Sequence, residues 1–310
     1  MELRQLQYFT VICEEGSVTR ASQRLNVVQP ALSQQVSKLE DELGFRLFTR
    51  TPKGMIPTDQ GKLAYQMFSG VLRELRNAVQ VLGDDDGEVR GTVTLGVVAS
   101  VANHALVDTL LEFHRKHSKV HVRATGGYTG ELREMLRSGQ LDLIIINTPL
   151  QARSAESINI INENLALIGA SGTPLPVPAP VQIAALETLK LVIPSPRHGL
   201  RAIMDRAAQA EGCTLAPLME FDDLMPIEEF VTNSDFFTIL PPMAVSRALR
   251  AGTLTAWPIT PTIPRKLVCM TAPDRPPSRA AELLIDELRE RMIDHSWDVS
   301  ESLEGSLSTS

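Results

Sequence analysis

The 310-residue chain predicts a composite fold: a small helical domain carrying a β hairpin, one long helix, and then a larger α/β domain of two lobes. Three observations predict it. Short amphipathic helical patterns crowd the stretch before Gly44 and are followed by a strand–turn–strand pattern. Apolar residues then repeat in heptad fashion from Tyr65 to Leu82. From Thr92 onward, strand-like runs alternate with helical ones.

In the first part, Leu3, Leu6, Phe9 and Cys13 form the apolar stripe of a first helix. Thr19 to Leu25 reads as a short second helix with Ala21 and Leu25 on its inner side, and Asn26-Val27-Val28 leaves a tight connection. Gln29 to Gly44 is the third helix: Leu32, Val36, Leu39 and Leu43 share one face, Pro30 sits in the first turn, and Gly44 supplies the stop. Its other face begins with Gln29, Ser33, Gln34 and Ser37, short uncharged donors and acceptors of the kind that suit base edges in a DNA major groove. Two short helices joined in this way make a helix-turn-helix. Phe45 to Arg50 reads as a strand, Pro52-Lys53-Gly54 as a turn and Met55-Ile56-Pro57 as the returning strand, a wing carrying Arg46, Arg50 and Lys53. Glu40, Asp41 and Glu42 lie at the far end of the third helix and are expected to point away from phosphates, which leaves Gln29 to Gln34 as the part for the groove. DNA contacts are expected from Thr19, Arg20, Gln29, Pro30, Ser33, Gln34, Ser37, Arg50 and Lys53. The competing reading is a small helical bundle with solvated polar faces.

Thr58 can cap the long helix, with Asp59 in its first turn. Tyr65, Phe68, Leu72, Leu75, Val79 and Leu82 follow at spacings of three and four, a seam for a second helix, and so a dimerisation element; folding back onto its own domain is the alternative. Gly83-Asp84-Asp85-Asp86-Gly87 reads as an acidic hinge. A dimer would present two recognition helices to a roughly palindromic site. The expected limits are 1–58 for the helix-turn-helix, 59–88 for the linker helix and 89–295 for the α/β domain, with a disordered tail at 296–310. Lobe 1 would take about 89–162 and 267–295, and lobe 2 about 163–266.

In the α/β part, strands are expected at 92–97, 120–124 and 141–146, with helices at 103–116 and 131–138, forming a parallel sheet covered on both faces. Leu165 to Gly169 opens a second unit, continued by a strand at 191–193, helices at 200–210 and 225–232, and a strand at 236–241. Lys266 to Thr271 returns to the first sheet and Ala280 to Ile293 closes the domain. Ligands of such sheets bind beyond the carboxyl ends of the strands, where helix N-termini favour an anion. Ser100, Thr129, Asn147, Thr148, Arg197 and His198 fall at such positions and form the candidate cleft, with Arg197 and His198 as candidates for pairing with an anionic ligand.

Net charge is −7, yet Arg20 to Lys53 holds six basic residues against Glu40, Asp41 and Glu42, a local excess of three positive charges suited to phosphates. No signal peptide or membrane-length apolar run is evident, and Cys13, Cys213 and Cys269 are too few and too scattered for a disulfide frame, so a reducing cytoplasm is expected. No nucleophile elbow, phosphate loop or dinucleotide fingerprint occurs. His114, His117 and His121 are spread over a helix end and the next strand and do not make a metal site. Neither catalytic residues nor a cofactor are expected. An enzymatic or free-standing solute-binding α/β protein with an accessory helix-turn-helix is the alternative.

The first sixty or so residues resemble the winged helix-turn-helix of LysR-type transcriptional regulators. The resemblance rests on Leu3, Tyr8-Phe9, Gly16-Ser17, Ala21, Leu25, Gln29-Pro30-Ala31-Leu32-Ser33, Leu39-Glu40, Leu43-Gly44, Leu47-Phe48, Arg50, Pro57-Thr58 and Gly61, and extends more weakly along the chain. Gln29 to Val36 and Arg50-Thr51 most resemble the nitrogen-assimilation-control branch. Where the family has a glycine-rich run before a late strand, this chain has Thr232-Asn233-Ser234-Asp235. The resemblance implies a periplasmic-binding-protein-like effector domain and a homo-oligomer, a dimer of dimers that bends promoter DNA. It also implies effector contacts at Ser100 and Thr129, and RNA polymerase is a further partner consistent with it.

Overall fold

The computed structural model describes residues 1–51, 54–82, 88–102, 105–148, 157–273 and 276–294. Lys53, the acidic hinge, Asn103 and the tail from 296 lie outside the described residues, as do the side chains of Arg50 and Leu82. The chain divides into two compact units, residues 1–87 with 134–141, and residues 88–133 with 142–310.

The amino-terminal unit contains α1 (Leu3–Glu15), α2 (Val18–Leu25), α3 (Gln29–Leu43), the hairpin β1 (Phe48–Thr51) and β2 (Gly54–Pro57), and α4 (Asp59–Leu82). Gly16, Asn26 and Gly44 end the first three helices in the left-handed region, and Ser17 caps α2 by accepting from the Arg20 amide. Leu32, Val36 and Leu39 of α3 meet Leu6, Phe9 and Ile12 of α1 in one core, with Phe9 against Phe48 and edge-on to Phe68. In α1 the inward face is Leu6, Tyr8, Phe9 and Ile12; Leu3 is exposed and Cys13 only half-buried, so the expected stripe is rotated by about one position.

The hairpin begins at Phe48, three residues later than expected. Glu40 is the reason. Its side chain turns inward and accepts from the Leu47 and Phe48 amides at 2.7 and 3.2 Å, while Arg46 donates to its other oxygen at 2.6 Å. The segment after Gly44 is therefore a connection tied to the end of α3.

In α4, Thr58 caps the helix by accepting from the Gly61 amide. Tyr65, Phe68 and Leu72 pack against α1 and the hairpin within their own domain, which corrects their assignment to a partner-facing seam. Leu75 and Val79 of the expected seam are exposed and continue an apolar stripe begun by Leu63, Met67 and Val71. A step of four overshoots a helical turn, so this stripe slants around α4 and does not follow a straight heptad line.

The second unit contains β3 (Gly91–Val97), α5 (Ala99–Ala102), α6 (Ala105–Lys116), β4 (Val120–Gly126), the first part of α7 (Thr129–Arg137, which from Glu134 on groups with the amino-terminal unit), β5 (Leu143–Thr148), β6 (Ser157–Ala170), β7 (Val181–Gln182), β8 (Val192–Pro194), α8 (Gly199–Ala210), β9 (Met219–Phe221), α9 (Leu224–Thr232), β10 (Phe237–Leu240), α10 (Ser246–Arg250), β11 (Leu254–Thr271) and α11 (Arg279–Asp294). The main sheet runs β10-β6-β11-β5-β3-β4. β4, β3 and β5 are parallel and β7 adds a short parallel pairing to β11, whereas β11 lies antiparallel to both β5 and β6, so the sheet is mixed.

The two lobes are joined by β6 and β11, whose pairing runs through both of them. Leu165 to Gly169 is the end of that long strand, not the start of a separate unit. Lobe 2 adds the parallel pair β8–β9 and packs Leu167, Val192, Leu200, Ile227 and Ile239 in one core.

Candidate DNA interface and ligand cleft

On α3, Gln29, Pro30, Gln34 and Ser37 are exposed and Ser33 is half-buried, so the expected reading residues share an open face above the apolar underside. Thr19 and Arg20 are exposed in the first turn of α2. A groove of about 520 Å³ between α3 and the hairpin is lined in part by Ser33, Ser37, Glu40 and Thr49. The basic residues are less free than the local charge suggests. Arg20 pairs with Glu15, Arg24 with Glu14 and Glu15, and Arg46 with Glu40. Glu14 and Glu15 lie just upstream of the span in which positive charge is in excess.

In the second unit, Ser100 is buried in the short helix after β3, Thr129 opens α7, Asn147 and Thr148 end β5, and His198 caps α8. Thr129 and Asn147 converge on one point of lobe 2. A Cβ built on Gly199 would stand 3.3 Å from Thr129 Oγ1 and 4.0 Å from Asn147 Nδ2. Thr148 pairs in register with Lys266, while Asn147 pairs with Leu267. Alternation along a strand places Thr148 on the opposite face from Asn147, which removes it from the cleft.

The centre of the cleft is a pair that sequence reasoning missed. Arg265 of β11 is fully buried and lies opposite Glu163 of β6. Its Nε donates to Glu163 Oε1 at 2.8 Å, and its Nη1 donates to Ser100 Oγ at 2.8 Å and Asn147 Oδ1 at 2.9 Å. The signal was present in strand parity. Ile263, Arg265 and Leu267 alternate inward on β11, as do Ile161, Glu163 and Leu165 on β6, so each apolar row is interrupted by one charge.

Arg197 occupies the rim. Its guanidinium lies 4.7 Å from the centroid of the Tyr128 ring and 3.7 and 3.8 Å from carboxylate oxygens of Glu131 and Asp222. It is thus exposed and engaged by two acids and an aromatic face, and the anion pairing expected of it would have to displace Glu131 and Asp222.

His198 is buried and carries no charge to pair with an anion at pH 7. It packs edge-on to Tyr128, and its Nδ1 accepts from the Leu200 amide at 3.3 Å. Burial first, and the Arg265 charge second, pull its pKa down to about 4, so the ring is neutral at pH 7. Because an unfolded histidine protonates near 6.5, the stability tied to this neutral ring is complete above that pH and is lost as pH falls toward about 4. Between pH 7 and pH 5 the wild type should lose about 2 kcal/mol more than His198→Asn, a variant that retains a capping side chain. Equal losses in chemical denaturation would count against this account.

Burial likewise pushes the Cys13 and Cys269 thiols up to about 12, and all three cysteines are free. His117 packs on Phe113, and among the described residues no three metal-ligating side chains gather into a site.

A helix-turn-helix with a hairpin, a long helix and a two-lobed α/β unit built around a polar cleft define a class of regulatory protein. Comparison with known proteins identifies which. Residues 3–62 match the bacterial regulatory helix-turn-helix protein, lysR family, and residues 86–293 match the LysR substrate binding domain. The chain belongs to the LysR family and is a DNA-binding transcriptional regulator.

The nitrogen assimilation regulatory protein nac of Klebsiella aerogenes is 28% identical over 260 residues, 83% of each chain. The RuBisCO operon transcriptional regulator of Allochromatium vinosum is 29% identical over 215 residues, covering 69% of this chain and 71% of that one. In fold, the chain is similar to a full-length OxyR variant from Pseudomonas aeruginosa (TM-score 0.75, 23% identity, 93% and 95% covered). It is also similar to full-length CbnR complexed with its target DNA (TM-score 0.67, 19% identity, 94% and 100% covered).

Proposed function

We propose that the protein reads promoter DNA through the amino-terminal half of α3 and responds to a small molecule bound between the lobes of its α/β unit. The observation that carries the first half is the uncharged row of exposed Gln29, Gln34 and Ser37 with half-buried Ser33, held in place by an apolar underside and by the inward-turned Glu40. Arg20 and the wing would position the head on phosphates while the α3 side chains discriminate bases. Gln34→Ala should weaken binding to an operator selected from a random-sequence library by about 1–3 kcal/mol and leave binding to random DNA little changed. Fluorescence anisotropy showing equal losses on both DNAs would reduce Gln34 to a positioning contact.

Pairing of two chains along the Leu63–Met67–Val71–Leu75–Val79 stripe of α4 would bury its exposed apolar surface and supply the second reading head. Val71→Glu should convert the assembled protein to a smaller species in sedimentation at micromolar concentration; an unchanged sedimentation coefficient would rule this stripe out.

The cleft reading rests on Ser100, Thr129, Asn147 and Glu163–Arg265, which bring side chains of lobe 1 and of the strands joining the lobes to one place, beside Gly199 of lobe 2. A ligand that favours one arrangement of the lobes could thereby be coupled to the DNA-binding head. We assign the α/β unit a sensing role and not a catalytic one: Ser100 is engaged by Arg265, and His198 is a neutral cap, so they do not form a nucleophile–base pair. Among the described residues no helix is long and apolar enough to cross a membrane, and a transcriptional regulator works where the DNA is, so we place it in the cytoplasm.

A further inference from the structure

We propose that the cleft selects a small molecule carrying an amino group beside an acceptor such as a carboxylate, with Glu163 holding the N–H donor and Thr129 with Asn147 holding the acceptor. The proposal rests on the cleft reading above and adds the chemistry of the ligand to it.

Arg265, the fully buried cation of the cleft, is already matched by Glu163, whose side chain is only 5% exposed. Its Nη1 hydrogens are taken by Ser100 and Asn147, and Nη2 reaches Glu163 and the Met243 sulfur. Arg197 is paired at the rim and His198 is neutral. Among the described residues the cleft therefore offers no uncompensated positive charge, and a simple anion would enter it without a counter-ion from them.

Three buried polar atoms in this place lack a hydrogen-bond partner: Thr129 Oγ1, Asn147 Nδ2 and Glu163 Oε2. Buried polar groups are otherwise almost always satisfied. Their donor and acceptor identities are fixed by chemistry. A guanidinium only donates, so the Asn147 atom facing Arg265 must be the carbonyl oxygen, and the free atom is the amide nitrogen, a donor. The Thr129 hydroxyl can also donate, and it shares with Asn147 Nδ2 the approach to Gly199. Together they define an acceptor-binding spot. Glu163 Oε2 carries the carboxylate's remaining lone pairs and accepts only. A ligand that satisfies all three atoms must present both an acceptor and an N–H or ammonium donor.

The test uses the full-length protein, with the twenty protein amino acids and their deaminated carboxylates as probes, in thermal-shift measurements followed by calorimetry. At least one amino acid should raise the melting temperature and bind more than tenfold tighter than its deaminated counterpart. Glu163→Gln keeps an acceptor for Arg265 but replaces the outer oxygen with a donor, and it should weaken that amino acid more than tenfold while DNA binding persists. Thr129→Val removes a hydroxyl that no protein group uses, so it provides a variant that leaves the fold intact; it should weaken binding at least fivefold.

The proposal is overturned if none of the twenty amino acids binds, if deaminated acids bind as well as their parents, or if Glu163→Gln folds and leaves affinity unchanged. A deaminated acid that binds and loses affinity in Asn147→Ala would sink the donor requirement and leave the cleft as the ligand site. Binding indifferent to Thr129→Val and to Asn147→Ala would remove the cleft reading as well.

Discussion

Arg265→Met should destabilise the α/β unit by about 3–5 kcal/mol, because it leaves the Glu163 carboxylate buried without its counter-ion. It would also strand Ser100 and Asn147, whose oxygens accept from the same guanidinium. The size of the effect comes from the orphaned charge and not from any large net contribution of the pair. Removing both charges, as Arg265→Met with Glu163→Leu, should therefore recover most of the loss. Chemical denaturation followed by the signal of this unit would decide. A single variant losing less than about 1 kcal/mol would show that the carboxylate finds another partner, and a double variant no better than the single would show that the pair itself stabilises the unit.

Gly61→Ala in α4 should destabilise the amino-terminal unit, reversing the usual sign of this substitution. In an open helix, alanine is favoured over glycine by about 1 kcal/mol. Here a Cβ would lie 2.0 Å from the carbonyl oxygen of Leu47 and 3.3 Å from the Pro57 Cβ. That carbonyl accepts from the Thr58 amide at the start of α4, so it cannot retreat without loosening the helix from the hairpin. Overpacking against backbone should cost about 3 kcal/mol or more, which outweighs the propensity gain. A melting temperature equal to or above that of the wild type would contradict this packing.

These two residues differ in how visible they were. The helices of the amino-terminal unit were legible because their information is local: apolar spacing, Pro30 in a first turn and Gly44 at a stop all act within one helix. Gly61 could be singled out only by resemblance, since the oxygen it touches belongs to Leu47. The amphipathic character of α4 was also plain, but the direction of each stripe was not. Periodicity shows that Tyr65, Phe68 and Leu72 share a face; it does not show whether that face meets a neighbour or its own domain.

The cleft was legible at its helix and strand ends, where Ser100, Thr129, Asn147 and His198 follow predicted elements. It was illegible at its centre. Pro258, Pro261 and Pro264 make β11 read as a loop, because proline cannot donate to a ladder. The polar run Asn162-Glu163-Asn164 hides the middle of β6 in the same way. Arg265 and Glu163 are 102 residues apart, and only the register of those two strands brings them together.

The carboxylate partners of Arg20 and Arg24 bear on the rate of DNA exchange as well as on its strength. These pairs are exposed, and such pairs contribute about 0–1 kcal/mol each. A phosphate that displaces Glu14 or Glu15 therefore has little to overcome, and the carboxylate is at hand to take the guanidinium back when the phosphate leaves. On random DNA the head would trade partners quickly in both directions. Long residence would then belong to the sites where the uncharged row of α3 also finds its bases.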